Sequence, residues 1–240
     1  MAVTLVIPAH NEALRIERTL RSYRAALPSD VELVVVANGC TDDTAGVTRR
    51  VAKDLAGIAL IDIAEPVGKG GAVRAGFAGA VSEWVGFVDA DLATPPEDVQ
   101  KVIDAARRTG AAIGSRWAQG SRIVGRTAGR DAAGRVFAGL VRTLLRLPFH
   151  DTQCGIKVFH RRWLAGYLAQ SRVSDLAFDV ELLVLLRDQG AAIAEVPTAW
   201  TAQPGSSTLG TLPGFVRHGA HMAGSILALW SRRRPPVVRP

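Results

Sequence analysis

Five short, mostly apolar runs lie in the first 113 residues, at 3–7, 31–36, 58–63, 84–88 and 111–113. Stretches with helical spacing separate them. Strands that are apolar on both faces cannot form a sheet with one wetted side. They require a mostly parallel sheet with helices on both faces, an α/β architecture. The spacing predicts a helix over 12–27, through Leu14, Leu20, Tyr23 and Leu27, with Asn11 as its cap. Thr41 opens a second helix to about residue 55, and a third covers 72–81. Thr94-Pro95-Pro96-Glu97 begins a fourth, with proline in its first turn. In such sheets ligands bind beyond the carboxyl ends of the strands. The polar clusters fall there: Asn11-Glu12 and residues 38–43, 68–71 and 89–91.

The second half is less regular. A polar, Gly- and Arg-rich loop at 114–129 precedes a predicted helix at 130–147, a strand at 154–159, a helix at 178–188 and a strand at 191–196. A Gly/Ser segment at 203–210 follows. Leu212, Phe215, Val216, Met222, Ile226, Leu227 and Trp230 then recur at three- and four-residue steps. The chain thus divides into a main domain, 1–210, and a C-terminal amphipathic helix with a basic tail, 211–240. A 48% hydrophobic content with mixed charge excludes a disordered chain. No apolar run reaches 18 residues, so no bilayer-spanning helix is expected. The N-terminus has no basic stretch before its apolar run, which argues against a secretory signal. Cys40 and Cys154 show no metal-knuckle or redox spacing. The expectation is a reduced, cytoplasmic protein.

Charge is distributed unevenly. The net +7 is concentrated in the second half, with nine Arg against one acid, Asp131, between residues 107 and 146. No acid follows Glu195, whereas five Arg do. Arg outnumbers Lys 25 to 4, which compositional bias can explain, but bias does not explain the missing acids. Such a face implies an anionic partner: phosphate groups, a membrane surface or nucleic acid. Asp89 and Asp91, two apart at a strand end, can aim both carboxylates at one point. That suits a hard cation such as Mg²⁺ shared with substrate phosphates. Gly68-Lys69-Gly70-Gly71 is like a phosphate cradle but lacks P-loop spacing. No G-x-G-x-x-G follows the first strand, which disfavours a dinucleotide enzyme.

Read together, these segments resemble the family 2 inverting glycosyltransferases, which have a nucleotide-sugar-binding GT-A fold. The resemblance rests on Val6-Ile7-Pro8-Ala9-His10-Asn11-Glu12, Ala37-Asn38-Gly39-Cys40-Thr41-Asp42-Asp43-Thr44, and Gly68-Lys69-Gly70-Gly71-Ala72-Val73-Arg74-Ala75-Gly76. It continues through Asp89-Ala90-Asp91-Leu92, Gly114-Ser115-Arg116, Asp151-Thr152-Gln153-Cys154-Gly155-Ile156-Lys157-Val158-Phe159 and Phe178-Asp179-Val180-Glu181-Leu182. These are similar to the branch that makes dolichyl- or polyprenyl-phosphate hexoses, mannosyl- or glucosyltransferases. The resemblance covers residue 6 to about residue 200.

The resemblance implies a role for each matching residue. Pro8, Ala9 and Glu12 would line the base and ribose pocket, with Asn38 beneath the base. Lys69 and Asp89 would contact the nucleotide sugar. Asp91, with Asp89, would hold Mg²⁺ or Mn²⁺ on the diphosphate. Arg116 and Arg130 would grip the acceptor phosphate, and Asp151, Lys157 and Asp179 would border the reacting centre. Two positions depart from the family pattern. Ala37-Asn38 stands where a carboxylate pair is common, and Ala93 stands where some relatives offer a Gln to the metal.

The chemistry agrees with that reading. A departing nucleoside diphosphate gains negative charge, which a metal stabilises as a Lewis acid. A sugar-alcohol acceptor needs a general base, whereas a phosphate monoester, with a second pKa of about 6, is already largely dianionic at neutral pH. Arg docks such a phosphate through a bidentate fork. The implied partners are a nucleotide-sugar donor and a polyprenyl phosphate, met at a peripheral membrane surface, with GDP-mannose or UDP-glucose as donor types. A same-fold enzyme with a soluble acceptor stays open. A nucleic-acid-binding protein accounts for the charge but leaves Glu12, Asp89 and Asp91 without a role, and a catalytically inactive scaffold is disfavoured by the intact Asp89/Asp91 pair. For the last helix two placements stay open: packed on the domain, or lying in a lipid interface with Arg232-Arg233-Arg234 behind it.

Overall fold

The computed structural model describes residues 1–125, 127–203 and 212–231, and for residues 128, 130 and 212–220 only their backbone is considered. Expectations placed on the Arg130 side chain, on 204–210 and on Arg232-Arg233-Arg234 lie outside the described residues.

The chain begins with alternating strands and helices: β1 (Val3–Ala9), α1 (Ile16–Ala26), β2 (Val31–Asn38), α2 (Thr44–Asp54), β3 (Ile58–Ile63), α3 (Gly68–Ala78), β4 (Trp84–Val88), α4 (Pro96–Thr109) and β5 (Ala111–Ser115). Then come β6 (Arg122–Val124), α5 (Ala128–Leu145), β7 (Ile156–His160), a 3-10 turn over Arg161–Trp163, α6 (Leu164–Gln170), α7 (Phe178–Asp188), β8 (Ile193–Pro197), β9 (Ala199–Thr201) and α8 (Leu212–Ser231). Seven strands form one sheet in the order β3-β2-β1-β4-β7-β5-β8. Every neighbouring pair is parallel except those of β7, which runs antiparallel to β4 and β5. This is the expected mostly parallel α/β sheet.

Strand alternation sends successive residues to opposite faces. Leu5 and Ile7 pack with Leu20, Tyr23 and Val102 under α1, α2 and α4. Val6 packs with Phe77, Phe87, Phe159 and Phe178 under α3, α6 and α7. Phe77 meets Phe159 and Tyr167 edge-on, at 5.4 and 6.0 Å between centroids. A third cluster joins Val141 and Leu145 of α5, Leu183 and Val184 of α7, and Ile226 and Leu229 of α8. In the described part of α8 the helix therefore packs on the domain, while Leu227 and Trp230 remain about half exposed.

Several local expectations change. Pro8 lies inside β1, opposite Val36, rather than ending it. Pairing of β1 with β4 stops at Val6, so at Pro8 that side of the strand has no ladder bond to lose. Asn11 does not cap α1. Its φ is +57°, and its Oδ1 accepts the backbone N–H groups of Thr41 and Asp42 instead. Helix α1 consequently starts at Ile16. Thr41–Asp43 belongs to the loop, where Asp42 accepts from the backbone N–H and hydroxyl of Thr44, and α2 starts at Thr44. Residues 68–71 form the first turn of α3 rather than a loop before it. The short parallel ribbon of β6 with β9, and helix α6, were not legible as elements.

Candidate active site

Because β1, β2 and β4 run parallel and in register, their carboxyl ends finish side by side, with Ala9 opposite Ala37. The loops that follow are stitched to one another. Thr44 Oγ1 accepts the Glu12 N–H at 2.8 Å, Asp42 Oδ2 accepts the Ala13 N–H at 2.9 Å, and His10 Nδ1 lies 2.7 Å from the Asn38 carbonyl. Asn38 is buried. Its Oδ1 accepts the Val67 N–H at 2.8 Å, so this side chain fixes the entrance to α3. Ala9, with Pro8 before it, ends β1 beside it.

Beyond β4 the chain turns through Asp89-Ala90-Asp91. Helix α1 braces that turn from below: Thr19 Oγ1 donates to the Ala90 carbonyl at 2.8 Å and buried Tyr23 Oη to the Thr94 carbonyl at 3.0 Å. Leu92 takes φ +59°, a left-handed conformation uncommon for a bulky side chain. Lys69, in the first turn of α3, meets Asp89 Oδ1 at 2.7 Å. Burial alone would lower the Lys69 ammonium pKa, but Asp89, Asp179 and Asp91 outweigh it and hold the pKa above its ordinary value.

The carboxylates crowd. Burial, then the charge of Asp89, pushes Asp91 up to about 6, with Glu12 adding to the effect and the Ala93 N–H and Lys69 opposing it. Glu12 is raised too, mainly by burial, despite Arg15 at 2.6 Å. The negative charge here exceeds what Lys69 and Arg15 neutralise, the electrostatic setting a divalent cation relieves. No group of three or more His, Cys, Asp or Glu able to hold a metal occurs among the described residues. Asp91 and Asp89 therefore fit a cation that completes its shell with diphosphate oxygens and water, not a cage built of protein ligands.

The space for Asp89 depends on Gly155. The Asp89 N–H donates to the Gly155 carbonyl at 3.0 Å, and a Cβ on Gly155 would lie 2.1 Å from Asp89 Oδ2. Gly155→Ala is therefore expected to displace Asp89 from Lys69 and, if this edge holds a nucleoside diphosphate as the sequence resemblance implies, to weaken its binding. A lost charged hydrogen bond, worth about 1.5–3 kcal/mol, corresponds to roughly ten- to hundredfold in affinity. Titrating UDP and GDP with Mn²⁺ into wild type and variant checks this. Gly155 lies within a stretch read for its polar residues, so its steric role had no sequence signal of its own.

The residues assigned to the reacting centre form two buried ion pairs. Lys157 Nζ lies 2.5 Å from Asp179 Oδ1, with side chains 1% and 3% exposed, and also donates to the Cys154 carbonyl at 2.9 Å. Burial raises the Asp179 carboxyl and outweighs the opposing charges of Lys157 and Lys69. Lys69 and Lys157 both lie over the Phe87 ring, at 5.7 and 5.2 Å. Charges thus alternate along Asp89, Lys69, Asp179 and Lys157.

The second pair corrects an expectation. Arg116 does not hold its fork open for a phosphate. Its Nε and Nη2 donate to Asp151 Oδ2 and Oδ1 at 2.6 and 2.8 Å, and its backbone N–H adds a third bond at 3.0 Å. Asp151 is fully buried. Burial would raise its carboxyl, but Arg116 more than offsets this and holds it below the usual carboxylate range. The loop behind is fixed by Glu195, which accepts the N–H groups of His150 and Asp151. Elsewhere in the basic stretch, Arg107 contacts Asp30 and Asp104, and Arg135 contacts Asp131. Asp131, the one acid of that stretch, also accepts from the Trp117 indole at 3.0 Å. Arg122, Arg142 and Arg146 make no ion pair among the described residues.

The chain and its fold are similar to those of known proteins. The chain is 32% identical to glycosyltransferase AglD of Haloferax volcanii over 99% of its own length and 38% of that protein's. It is 32% identical to dolichyl-phosphate beta-glucosyltransferase ALG5C of Trichomonas vaginalis, over 82% of this chain and 63% of that one. The chain thus spans less than two thirds of the length of either relative. Among solved structures, glucosyl-3-phosphoglycerate synthase of Mycobacterium tuberculosis, in complex with Mn²⁺, UDP and glucosyl-3-phosphoglycerate, superposes with a TM-score of 0.75 at 20% identity, over 97% of this chain and 81% of that one. That likeness establishes the shared GT-A fold. The family model for glycosyl transferase family 2 matches residues 4–168, from β1 through the paired carboxylates to α6, and the chain belongs to that family.

Proposed function

We propose that this chain transfers a hexose, with inversion, from a nucleoside-diphosphate sugar of the UDP-glucose or GDP-mannose type to a polyprenyl or dolichyl phosphate. The observation that carries this reading is the crowded Asp89/Asp91/Glu12 charge at the carboxyl edge of the sheet, facing Lys69, in a chain whose next segment is rich in Arg. The similarity to dolichyl-phosphate beta-glucosyltransferases supports the acceptor class.

In this reading Asp91 and Asp89 would hold Mg²⁺ or Mn²⁺, which when bound would supply Lewis-acid stabilisation of the leaving diphosphate. Pro8, Ala9 and Glu12 line the ribose and base, and Asn38 supports that pocket by fixing Val67. Lys69 steadies Asp89. A dianionic phosphate attacks without a strong base, so Asp151 and Asp179 act by holding Arg116 and Lys157 in place. Asp151 occupies Nε and Nη2 of Arg116, so that Arg meets the acceptor through Nη1, as a single donor. Arg130 retains its role as the second acceptor-phosphate residue.

Residues 1–210 would carry both substrates, and 211–240 would contribute to a lipid-facing surface. No helix among the described residues is long and apolar enough to cross a membrane. Val136 and Leu140 of α5, and Leu227 and Trp230 of α8, are exposed, and Arg142 and Arg146 lie nearby in the chain. Apolar side chains beside basic ones suit the surface of an anionic bilayer, at its cytoplasmic face.

The test is a screen of UDP- and GDP-sugars with Mg²⁺ and Mn²⁺, with and without a short polyprenyl phosphate, reading nucleoside-diphosphate release. Release that needs metal and is stimulated by the lipid phosphate is expected. Stimulation by a soluble phosphate monoester such as glycerol 3-phosphate, with none by the lipid, would move the acceptor to the soluble class.

A further inference from the structure

Lys69 owes its position to a segment far from it in sequence. The first turn of α3 has no room for side chains at two of its glycines: a Cβ on Gly68 would lie 2.3 Å from the Ser174 carbonyl oxygen, and one on Gly70 would lie 2.6 Å from that of Val173. Gly68 also has φ +73°, which favours glycine. The Gly70 N–H donates to the Ser174 carbonyl at 2.9 Å. One turn on, Arg74 donates to the Val173 carbonyl at 2.6 Å and to Ser174 Oγ at 2.8 Å. The 171–177 loop is therefore seated on the turn that aims Lys69 at Asp89.

That loop is held at its other side by two acids. Buried Glu181 accepts the N–H groups of Arg172 and Val173 at 2.9 Å each. Asp175 accepts the Ala177 N–H through Oδ1 at 2.7 Å, and through Oδ2 it accepts the Ser225 hydroxyl of α8 at 2.8 Å. Among the described residues, helix α8 otherwise docks through the apolar side chains Met222, Ile226 and Leu229. Apolar packing sets closeness but little register, whereas the Ser225–Asp175 bond fixes one point of α8 against one point of the loop.

We infer that Asp175 is a positioning residue, tying α8 to the loop that seats Lys69 against Asp89, so that the placement of α8 sets donor affinity. The inference rests on the donor site proposed above. It adds that the helix with the exposed Leu227 and Trp230 and the nucleotide end of the site are mechanically joined. The links run from the Ser225 hydroxyl to the Asp175 carboxylate, from that carboxylate to the Ala177 N–H of the loop, and from the Ser174 carbonyl to the Gly70 N–H in the turn that bears Lys69.

The test is a double-mutant cycle read as the dissociation constant for UDP and for GDP with Mn²⁺. Ser225→Ala and Asp175→Ala are each expected to weaken binding about three- to tenfold, the scale of one lost hydrogen bond. Asp175→Asn, whose amide still accepts from Ala177 and donates to Ser225, is expected to restore most of that loss. In a Lys69→Ala background, Asp175→Ala should have no further effect, because the two act on the same contact. A residue that merely stabilises the fold would give losses that add, and additive losses overturn the inference. So do wild-type affinities in both Ser225→Ala and Asp175→Ala, given that a thermal melt shows each variant folded. A wild-type protein that binds neither nucleotide overturns the donor site itself, a separate result.

Discussion

Asp91→Ala is expected to lower turnover by about a hundred- to thousandfold, the scale on which removal of one charge-stabilising group acts. Thermal stability should not fall, and the physical reason lies in the same charge crowding that recommends the site. Asp91 is raised to about 6 by burial and by Asp89. A carboxyl whose folded-state pKa lies above its unfolded value makes ionisation unfavourable in the fold. The resulting cost is absent at low pH, grows between about pH 4 and 6, and is present in full above pH 6. Removing the carboxylate removes that cost, so at pH 7.5 the variant should melt at or above the wild-type temperature while metal-dependent nucleotide binding is lost. Calorimetric melts and Mn²⁺-dependent UDP or GDP titrations measure the two quantities separately. A variant that unfolds would make Asp91 structural, and one that turns over normally would remove it from the reaction.

Arg116→Ala is the largest expected loss of stability. Its bidentate partner Asp151 is left as an uncompensated buried charge once the guanidinium is gone, and breaking a buried pair by removing one member costs about 3–5 kcal/mol. For a domain of this size that is a fall on the order of 10 °C in melting temperature. The pH dependence has a definite sign. Asp151 is held below the usual carboxylate range, so its pair stabilises the fold above the ordinary carboxylate pKa, and this stabilisation is lost as the pH falls through the depressed value. The wild type and Arg116→Ala should therefore differ most near neutrality and converge in acid. Arg116→Met combined with Asp151→Leu should regain much of the lost stability, because a well-packed apolar pair can replace a buried ionic one. If Arg116→Ala melts like the wild type yet loses acceptor efficiency, the fork is free to serve the acceptor and the pairing with Asp151 is secondary.

The legible part of this molecule was the part written in short-range pattern. β3, β4 and α7 carry dense apolar runs and begin and end at the expected residues, 58–63, 84–88 and 178–188. The motifs placed Asp89, Asp91, Glu12 and Lys69 at one edge because a parallel sheet in register must put them there. What could not be read was long-range chemistry. Asn11 looks like a cap in sequence, but it serves Thr41 and Asp42, thirty and more residues away. The glycines of residues 68–71 look like a loop until Val173, Ser174 and Phe178 are seen pressing on them. Arg116 looks like an open fork because Asp151, 35 residues on, is invisible to local pattern. The ribbon of β6 and β9 consists of two three-residue strands 75 or more positions apart, too short for any period to register.

The proposed function requires that the site deliver its sugar to a phosphate and not to a hydroxyl. The most direct measurement is the rate of hexose transfer to a short-chain polyprenyl phosphate compared with the alcohol of the same chain, under identical detergent, donor and Mn²⁺. The phosphate arrives dianionic and needs no base, so product is expected from it alone, with transfer to the alcohol at least a hundredfold slower, on the order of the 10²–10⁴ that general-base assistance supplies. Equal transfer to the two acceptors, or faster transfer to the alcohol, would contradict the account.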